Sequence, residues 1–305
     1  MVFKMMKISR LFILLFVLTS LSINGLNAQN TSIKLGVNNV KFFGKPEKDA
    51  SGKALESFES VYAFTGALVT EVALENEGSN EEGGVRFEMT YFRNKFKWHY
   101  NGSSYQIFDT EGGKKVYATG QKTVNLTLTT NYFKLPIMMY QRFETGFELA
   151  FGLDLGLNIG TQGKGDMTFQ GKTESGENVP LYTAALNYNY SKDKITTVEL
   201  SDKSFTANGE TIILPKSMGA YYETRVKNDK PYNPFNRFNV GLNGDVAYWF
   251  GDAIGLRLRG NYNFFDFTSN KNTFIRQSLN ADKTPIARKS YENLFSYQLT
   301  LEFKL

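Results

Sequence analysis

Leu294–Leu305 reads LFSYQLTLEFKL and alternates without a break. Phe295, Tyr297, Leu299, Leu301, Phe303 and Leu305 share one face of an extended chain, and Ser296, Gln298, Thr300, Glu302 and Lys304 share the other. Successive strand side chains point to opposite sides, so one face is apolar and ring-rich and the other polar. That is the pattern of a strand with lipid on one side and a polar interior on the other, as in the closing strand of a transmembrane β-barrel.

The same alternation recurs upstream. Phe147, Leu149, Phe151, Leu153, Leu155, Leu157 and Ile159 oppose Glu148, Ala150, Gly152, Asp154, Gly156, Asn158 and Gly160. Phe238–Phe250 and Ile254–Phe264 repeat it, placing Asp245, Arg257 and Arg259 on the polar side. Each run covers the ~9–11 residues that a tilted strand needs to cross a bilayer. Helical spacing would instead scatter these charges around every face. Shorter alternating runs begin at Ile33, Tyr62, Val85 and Val124, the last continuing through Phe133 to Met139 after a one-residue slip of phase near Tyr132 that reads as a β-bulge. The expectation is an all-β, antiparallel up-and-down barrel of eight strands.

Connection lengths give an independent check. Short turns at Gln141–Thr145 and Gly251–Ala253, and the modest link Glu75–Gly84, alternate with longer connections at Phe42–Ser57, Asn101–Gln121, Thr161–Asn236 and Thr268–Asn293. Such alternation is expected when turns lie on the periplasmic side and loops outside. The long extracellular loop 161–236 is the weakest assignment. Leu181–Tyr190 could pair with Ile195–Leu200, and Asn208-Gly209 suits a tight hairpin turn. If that hairpin crossed the membrane the count would be ten; the second arm is short, so a hairpin above the barrel is preferred.

Lys4, Lys7 and Arg10 precede the apolar run Leu11–Leu18, and small and polar residues lead to Ala28. This reads as a signal peptide over residues 1–28, with the barrel domain at 29–305, because eight apolar residues fall far short of the ~20 of a spanning helix. The expected location is the outer membrane of a Gram-negative cell. Removing the three leader cations from the formal charge of +5 leaves about +2, too little to argue for nucleic acid. The absence of cysteine rules out disulfide staples.

On this pattern the lumen holds Lys34, Glu71, Arg86, Glu88, Glu148, Asp154, Asp245, Arg257, Arg259, Glu302 and Lys304. An eight-stranded barrel is narrow enough for its own side chains to fill, and an unpaired buried charge is costly. A closed plug of ion pairs is therefore expected, with an open channel as the competing reading. Aromatics at strand ends, among them Tyr140, Phe143, Phe147, Tyr248, Phe250 and Phe303 at one level and Phe238, Phe264, Phe267 and Phe295 at the other, suggest two interfacial girdles.

Tyr132-Phe133-Lys134-Leu135-Pro136-Ile137-Met138-Met139-Tyr140, followed by the glycine-punctuated run Phe147–Gly160, resembles the corresponding strands of the PorT-like outer-membrane β-barrel proteins. The resemblance spans most of the chain after residue 28. It implies an outer-membrane location; some relatives assist protein secretion or gliding, a role that the resemblance alone does not carry over. Two departures are the long 161–236 segment and Leu305 where an aromatic is commoner.

An enzymatic reading rests on His99, the single histidine, with Ser103 and Ser104 nearby, which could serve a lipid hydrolase. One histidine and no cysteine give little for metal ligation. The residues favour a non-enzymatic barrel, without cofactor and monomeric, acting as anchor, scaffold or recognition protein. Its partners would be outer-membrane lipid and either an extracellular ligand or a secretion component. Tyr182, Tyr188, Tyr190, Tyr221, Tyr222 and Tyr232 of the long loop could present an aromatic contact surface, unless that loop only caps the barrel mouth.

Overall fold

The computed structural model describes residues 29–74, 81–110, 112–192, 194–195, 199–218, 225–227, 230–232, 235–268, 274–288 and 292–305. The leader, most of the 75–84 link, and Tyr221 and Tyr222 lie outside the described residues.

Eight strands form the wall: β1 (Gln29–Phe43), β2 (Ala63–Leu74), β3 (Glu82–Asp109), β4 (Lys115–Arg142), β5 (Phe147–Thr173), β6 (Phe238–Phe250), β7 (Ile254–Asn263) and β8 (Asn293–Lys304). Each pairs antiparallel with its neighbours in order. The ring closes where β1 meets β8 from Ser32↔Lys304 to Phe43↔Asn293. Each of the eight is paired on both sides over the barrel, so no strand edge is left open, although the β3–β4 ladder is interrupted at Glu88–Met89, opposite Leu135 and Pro136, which has no N–H to donate. The terminal strand is therefore the closing strand, as its alternation indicates.

Three wall strands are far too long for a bilayer. β3 and β4 have 28 residues each and β5 has 27. The expected Asn101–Gln121 loop does not exist as a loop: β3 and β4 stay in register until Asp109↔Lys115. The expected 161–236 loop is likewise largely sheet. Asn178–Asn189 pairs with β5 from Gln162↔Asn189 to Lys172↔Asn178. Among the described residues its pairing toward Ile195 consists of Tyr188↔Ile195 and Asn189↔Lys194. Leu200–Ala207 and Glu210–Pro215 form the separate hairpin whose turn has Asn208 at φ 52° and Gly209 at φ 78°, the positive-φ pair of a type I′ turn.

The upper sheet has its own core. Phe108, Val116, Leu126, Met167, Phe169, Tyr182, Phe205 and Leu214 are buried together on its concave side. Phe205 meets Phe108 edge-on at 5.3 Å, so the hairpin covers the sheet. Tyr182 and Tyr190 are 2% and 1% exposed, so these rings belong to a core and not to a contact surface.

Strand β4 explains the apparent phase slip. Its even-numbered residues face inward from Val116 to Arg142, all of them buried except Gly120 and the half-buried Lys122, and its pairing with β3 keeps one register throughout. What changes is the medium. Below Tyr132 the outward residues are Phe133, Leu135, Ile137 and Met139; above it they are Thr129, Thr127, Asn125 and Thr123. The inward set changes the opposite way, from Lys134, Met138 and Arg142 to Leu128, Leu126 and Val124. A strand leaving lipid for water must exchange its apolar face, and β4 does so without a bulge. The register shift opposite Asn131/Tyr132 belongs to β5, where Ile159 is skipped between Asn158 and Gly160. That extra residue turns Met167 and Phe169 inward, although they share the odd numbering of lipid-facing Leu155 and Leu157.

Candidate functional site

The lumen is layered. In its lower part, six cations (Lys34, Arg86, Lys134, Arg142, Arg257, Arg259) and six acids (Glu71, Glu88, Glu148, Asp154, Asp245, Glu302) are buried among the described residues. The numbers match, so the plug is neutral overall. Strand alternation sends each of these side chains inward from a different wall position, and the narrow bore brings them together.

Arg257 sits at the centre. Its guanidinium lies 2.8 Å from Glu148, 3.1 Å from Asp245 and 2.8 Å from Glu302. Arg259 joins Asp245 at 2.6 Å to Glu88 at 2.7 Å, and Lys34 reaches Glu88 at 2.5 Å. Arg86 bridges Glu71 and Glu148, the latter at 2.7 Å. Arg142 links Glu148 at 2.8 Å, Glu71 at 3.1 Å and the rim residue Glu82 at 2.6 Å. Trp249 donates its Nε1–H to Glu148 at 2.8 Å, and Ser32 donates to Glu302 at 2.5 Å. Planar guanidinium groups suit this arrangement because five donors in a fixed fork can serve several carboxylates at once. Asp154 belongs to a neighbouring cluster with Lys134 at 2.7 Å and Asn261 at 3.1 Å.

Ten of the eleven charged residues that the alternation places in the lumen are thus brought into the buried plug. Lys304 is not. It is half-buried, with Nζ 4.7 Å from the Trp249 ring centre, and makes no ion pair among the described residues. It is the last residue of β8, where the wall opens to solvent and a cation needs no counter-charge. Lys134 and Arg142 were missed. Lys134 is legible, since it alternates between lipid-facing Phe133 and Leu135; Arg142 was assigned to a turn that starts one residue later. Two girdle aromatics also belong inside: Tyr140 is buried beneath Arg86 and Arg142 at 5.1 and 5.4 Å, and Phe267 is 2% exposed. Phe147, Tyr248, Phe250 and Phe303 do face outward at one level, as do Phe238 and Phe264 at the other.

Above the charges lies a neutral polar layer of buried Asn38, Thr90, Asn94, Asn239, Asn243, Asn263 and Ser296. Aromatics then close the mouth. Phe42 stacks on Phe58 at 4.1 Å and on Phe96 at 5.7 Å; Phe267 meets Phe96 at 5.6 Å and Phe235 at 4.8 Å; Tyr190 meets Phe235 at 4.8 Å. A hydrated ion travelling the axis would meet a fully paired charge layer and then an apolar lid.

His99 faces outward above the lipid-facing part of β3, with Nδ1 2.8 Å from Asn125 Oδ1 and Nε2 3.9 Å from Glu59. Ser104 is buried on the other side of the sheet and donates to the Arg276 carbonyl at 2.6 Å. Ser103 shares the face of His99 but is four residues along the strand, roughly 13 Å away at ~3.3 Å per residue. These residues do not converge.

No protein-family model matches the chain, and neither does any curated protein. Among solved structures it is similar to neisserial surface protein A, at 8% identity over 92% of this chain and 100% of that one, with a TM-score of 0.33. It is also similar to the translocator domain of the autotransporter NalP from Neisseria meningitidis (10% identity, 98% and 97% covered, TM-score 0.22) and to a FadL homologue from Pseudomonas aeruginosa (8%, 91% and 90%, TM-score 0.23). The class, an eight-stranded antiparallel β-barrel with an apolar outer band, rests on the chain's own strand ladder and exposure pattern.

Proposed function

We propose that this chain is a non-enzymatic outer-membrane anchor whose closed barrel holds a rigid β-sheet platform above the membrane. The carrying observation is the neutral, buried ion-pair layer beneath the aromatic lid, in which no lumen charge among the described residues is left unpaired to draw ions through. The band of Leu35, Phe64, Phe87, Met139, Leu153, Leu258 and Leu299 on the outside supports a lipid surrounding, since such a continuous apolar belt is not tolerated in water. The resemblance to PorT-like proteins favours the same location and suggests that the platform meets a secretion component or surface ligand.

Reconstitution into planar bilayers tests the closed lumen. The expected recording shows no steady conductance at low voltage. A steady nanosiemens conductance would establish the channel reading in its place.

A further inference from the structure

The polarity exchange along β3 leaves a cationic stripe at one height. The outward residues of this strand run Val85, Phe87, Met89, Tyr91 and then Arg93, Lys95, Lys97, His99. Three successive outward positions are thus basic immediately beyond the last lipid-facing ring. Tyr91 marks the boundary, because its ring lies in the apolar belt while its hydroxyl donates to Asn131 Oδ1 at 2.8 Å. Arg93 Nε donates to the same oxygen at 3.0 Å, which holds its guanidinium against the wall at that level.

Neighbouring strands add one more cation and two acids, and the stripe keeps a net excess of positive charge centred on Arg93 and Lys95. Lys97 pairs across β4 at Thr127, and Thr127 pairs in turn with Lys164 of β5. Lys95 lies between Val61 and Thr129, both uncharged. The acids on these rungs are Glu59, 3.3 Å from Lys97, and Asp166, one rung higher beside Asn125. Arg93 and Lys95 have no acid on their rungs.

Height decides what such a stripe meets. A strand tilted ~35–45° climbs roughly 2.5 Å per residue along the barrel axis. Arg93 therefore stands about 5 Å above Tyr91, within a polar headgroup layer roughly 5–8 Å deep, and Lys95 stands just beyond that layer at about 10 Å. Lys97 is higher, but a lysine stem can bend its head back toward the interface.

We propose that Arg93, Lys95 and Lys97 bind the phosphate groups of an outer-leaflet glycolipid of the lipid A type, fixing one lipid against the β3 side of the barrel. The proposal rests on the membrane reading above. It deepens that reading by naming a lipid class and a place.

The purified full-length protein in zwitterionic detergent is titrated with diphosphoryl lipid A, dephosphorylated lipid A and phosphatidylcholine, and bound lipid is counted by native mass spectrometry. Diphosphoryl lipid A should be retained preferentially. The R93Q/K95Q/K97Q variant should lose about fivefold in affinity per cation removed, roughly a hundredfold in all. A K115Q/K172Q variant, altered on the same sheet face but far above the belt, should bind as the parent does. Equal retention of phosphorylated and dephosphorylated lipid, an unaffected triple variant, or an equal loss in the distant variant would each overturn the proposal. So would displacement of the lipid by millimolar inorganic phosphate, which would mark a free-anion site. Heat-modifiable gel migration reports whether the barrel itself has folded, so failure of the membrane reading is told apart from failure of lipid binding. Should the triple variant misfold, R93Q and K95Q singly give the same comparison.

Discussion

Arg257→Met is expected to destabilise the barrel by about 3–5 kcal/mol, because it removes the cation that three buried carboxylates share. The three acids are not left equally exposed to the loss. Glu148 keeps Arg86 and Arg142, and Asp245 keeps Arg259. Glu302 keeps no direct ion pair among the described residues, only the Ser32 hydroxyl and the more distant charges of Arg86 and Lys34. The double variant R257M/E302Q should therefore recover a large part of the loss, since the stranded charge is gone while the methionine stem still fills the bore. Lys304→Met, at the rim, should change stability by no more than about 0.5 kcal/mol. Urea unfolding in lipid vesicles reads all three. The chain's two tryptophans help, as Trp249 touches the plug and Trp98 lies in the upper core. A loss below about 1 kcal/mol for Arg257→Met would show that the network does not hold the barrel together.

Phe169→Ala should act on the other layer. Phe169 is fully buried in the upper sheet, with Phe108 and Tyr182 at 6.5 and 6.2 Å. Truncating such a ring leaves a cavity and costs about 3–5 kcal/mol. The wall below Tyr132 shares none of these contacts, so the loss should be local. Protease cleavage of the upper sheet on intact vesicles should then speed up by roughly a hundredfold or more, since each 1.4 kcal/mol is a factor of ten in the open population. Trp98 emission should shift toward that of a solvated ring while Trp249 keeps its buried spectrum. An upper sheet that resists protease as the parent does would mean that it is not an independently cored platform.

The barrel was legible because lipid and a polar lumen impose opposite demands on alternate residues, so β5, β6, β7 and β8 announce both their faces. The platform was hidden for the same reason. In β3 and β4 the inside and outside exchange polarity partway along, so a reader tracking the apolar set sees a slip at Tyr132 or a loop after Tyr100. Nothing slips in the backbone; even residues Phe92, Phe96 and Trp98 continue the inward column of Arg86, Glu88 and Thr90. Polar residues such as Gln121 and Thr123 look like loop on composition, yet they lie on the wet outer face of a paired strand. The plug was legible residue by residue wherever alternation was unbroken. It failed at Lys304 and Arg142, where the strand meets the rim and alternation no longer says whether a side chain is enclosed.

A single-cysteine scan along β4 tests the exchange of faces most directly, and the parent chain has no cysteine to confuse it. With the protein in vesicles, cysteines at Phe133, Leu135, Ile137 and Met139 should resist a charged maleimide and be quenched by lipid-borne probes. Those at Thr123, Asn125, Thr127 and Thr129 should react quickly, and those at Leu126, Leu128 and Met138 should stay blocked to both reagents. If reactivity passes from odd to even positions above Tyr132, the strand slips there and the platform described above is wrong.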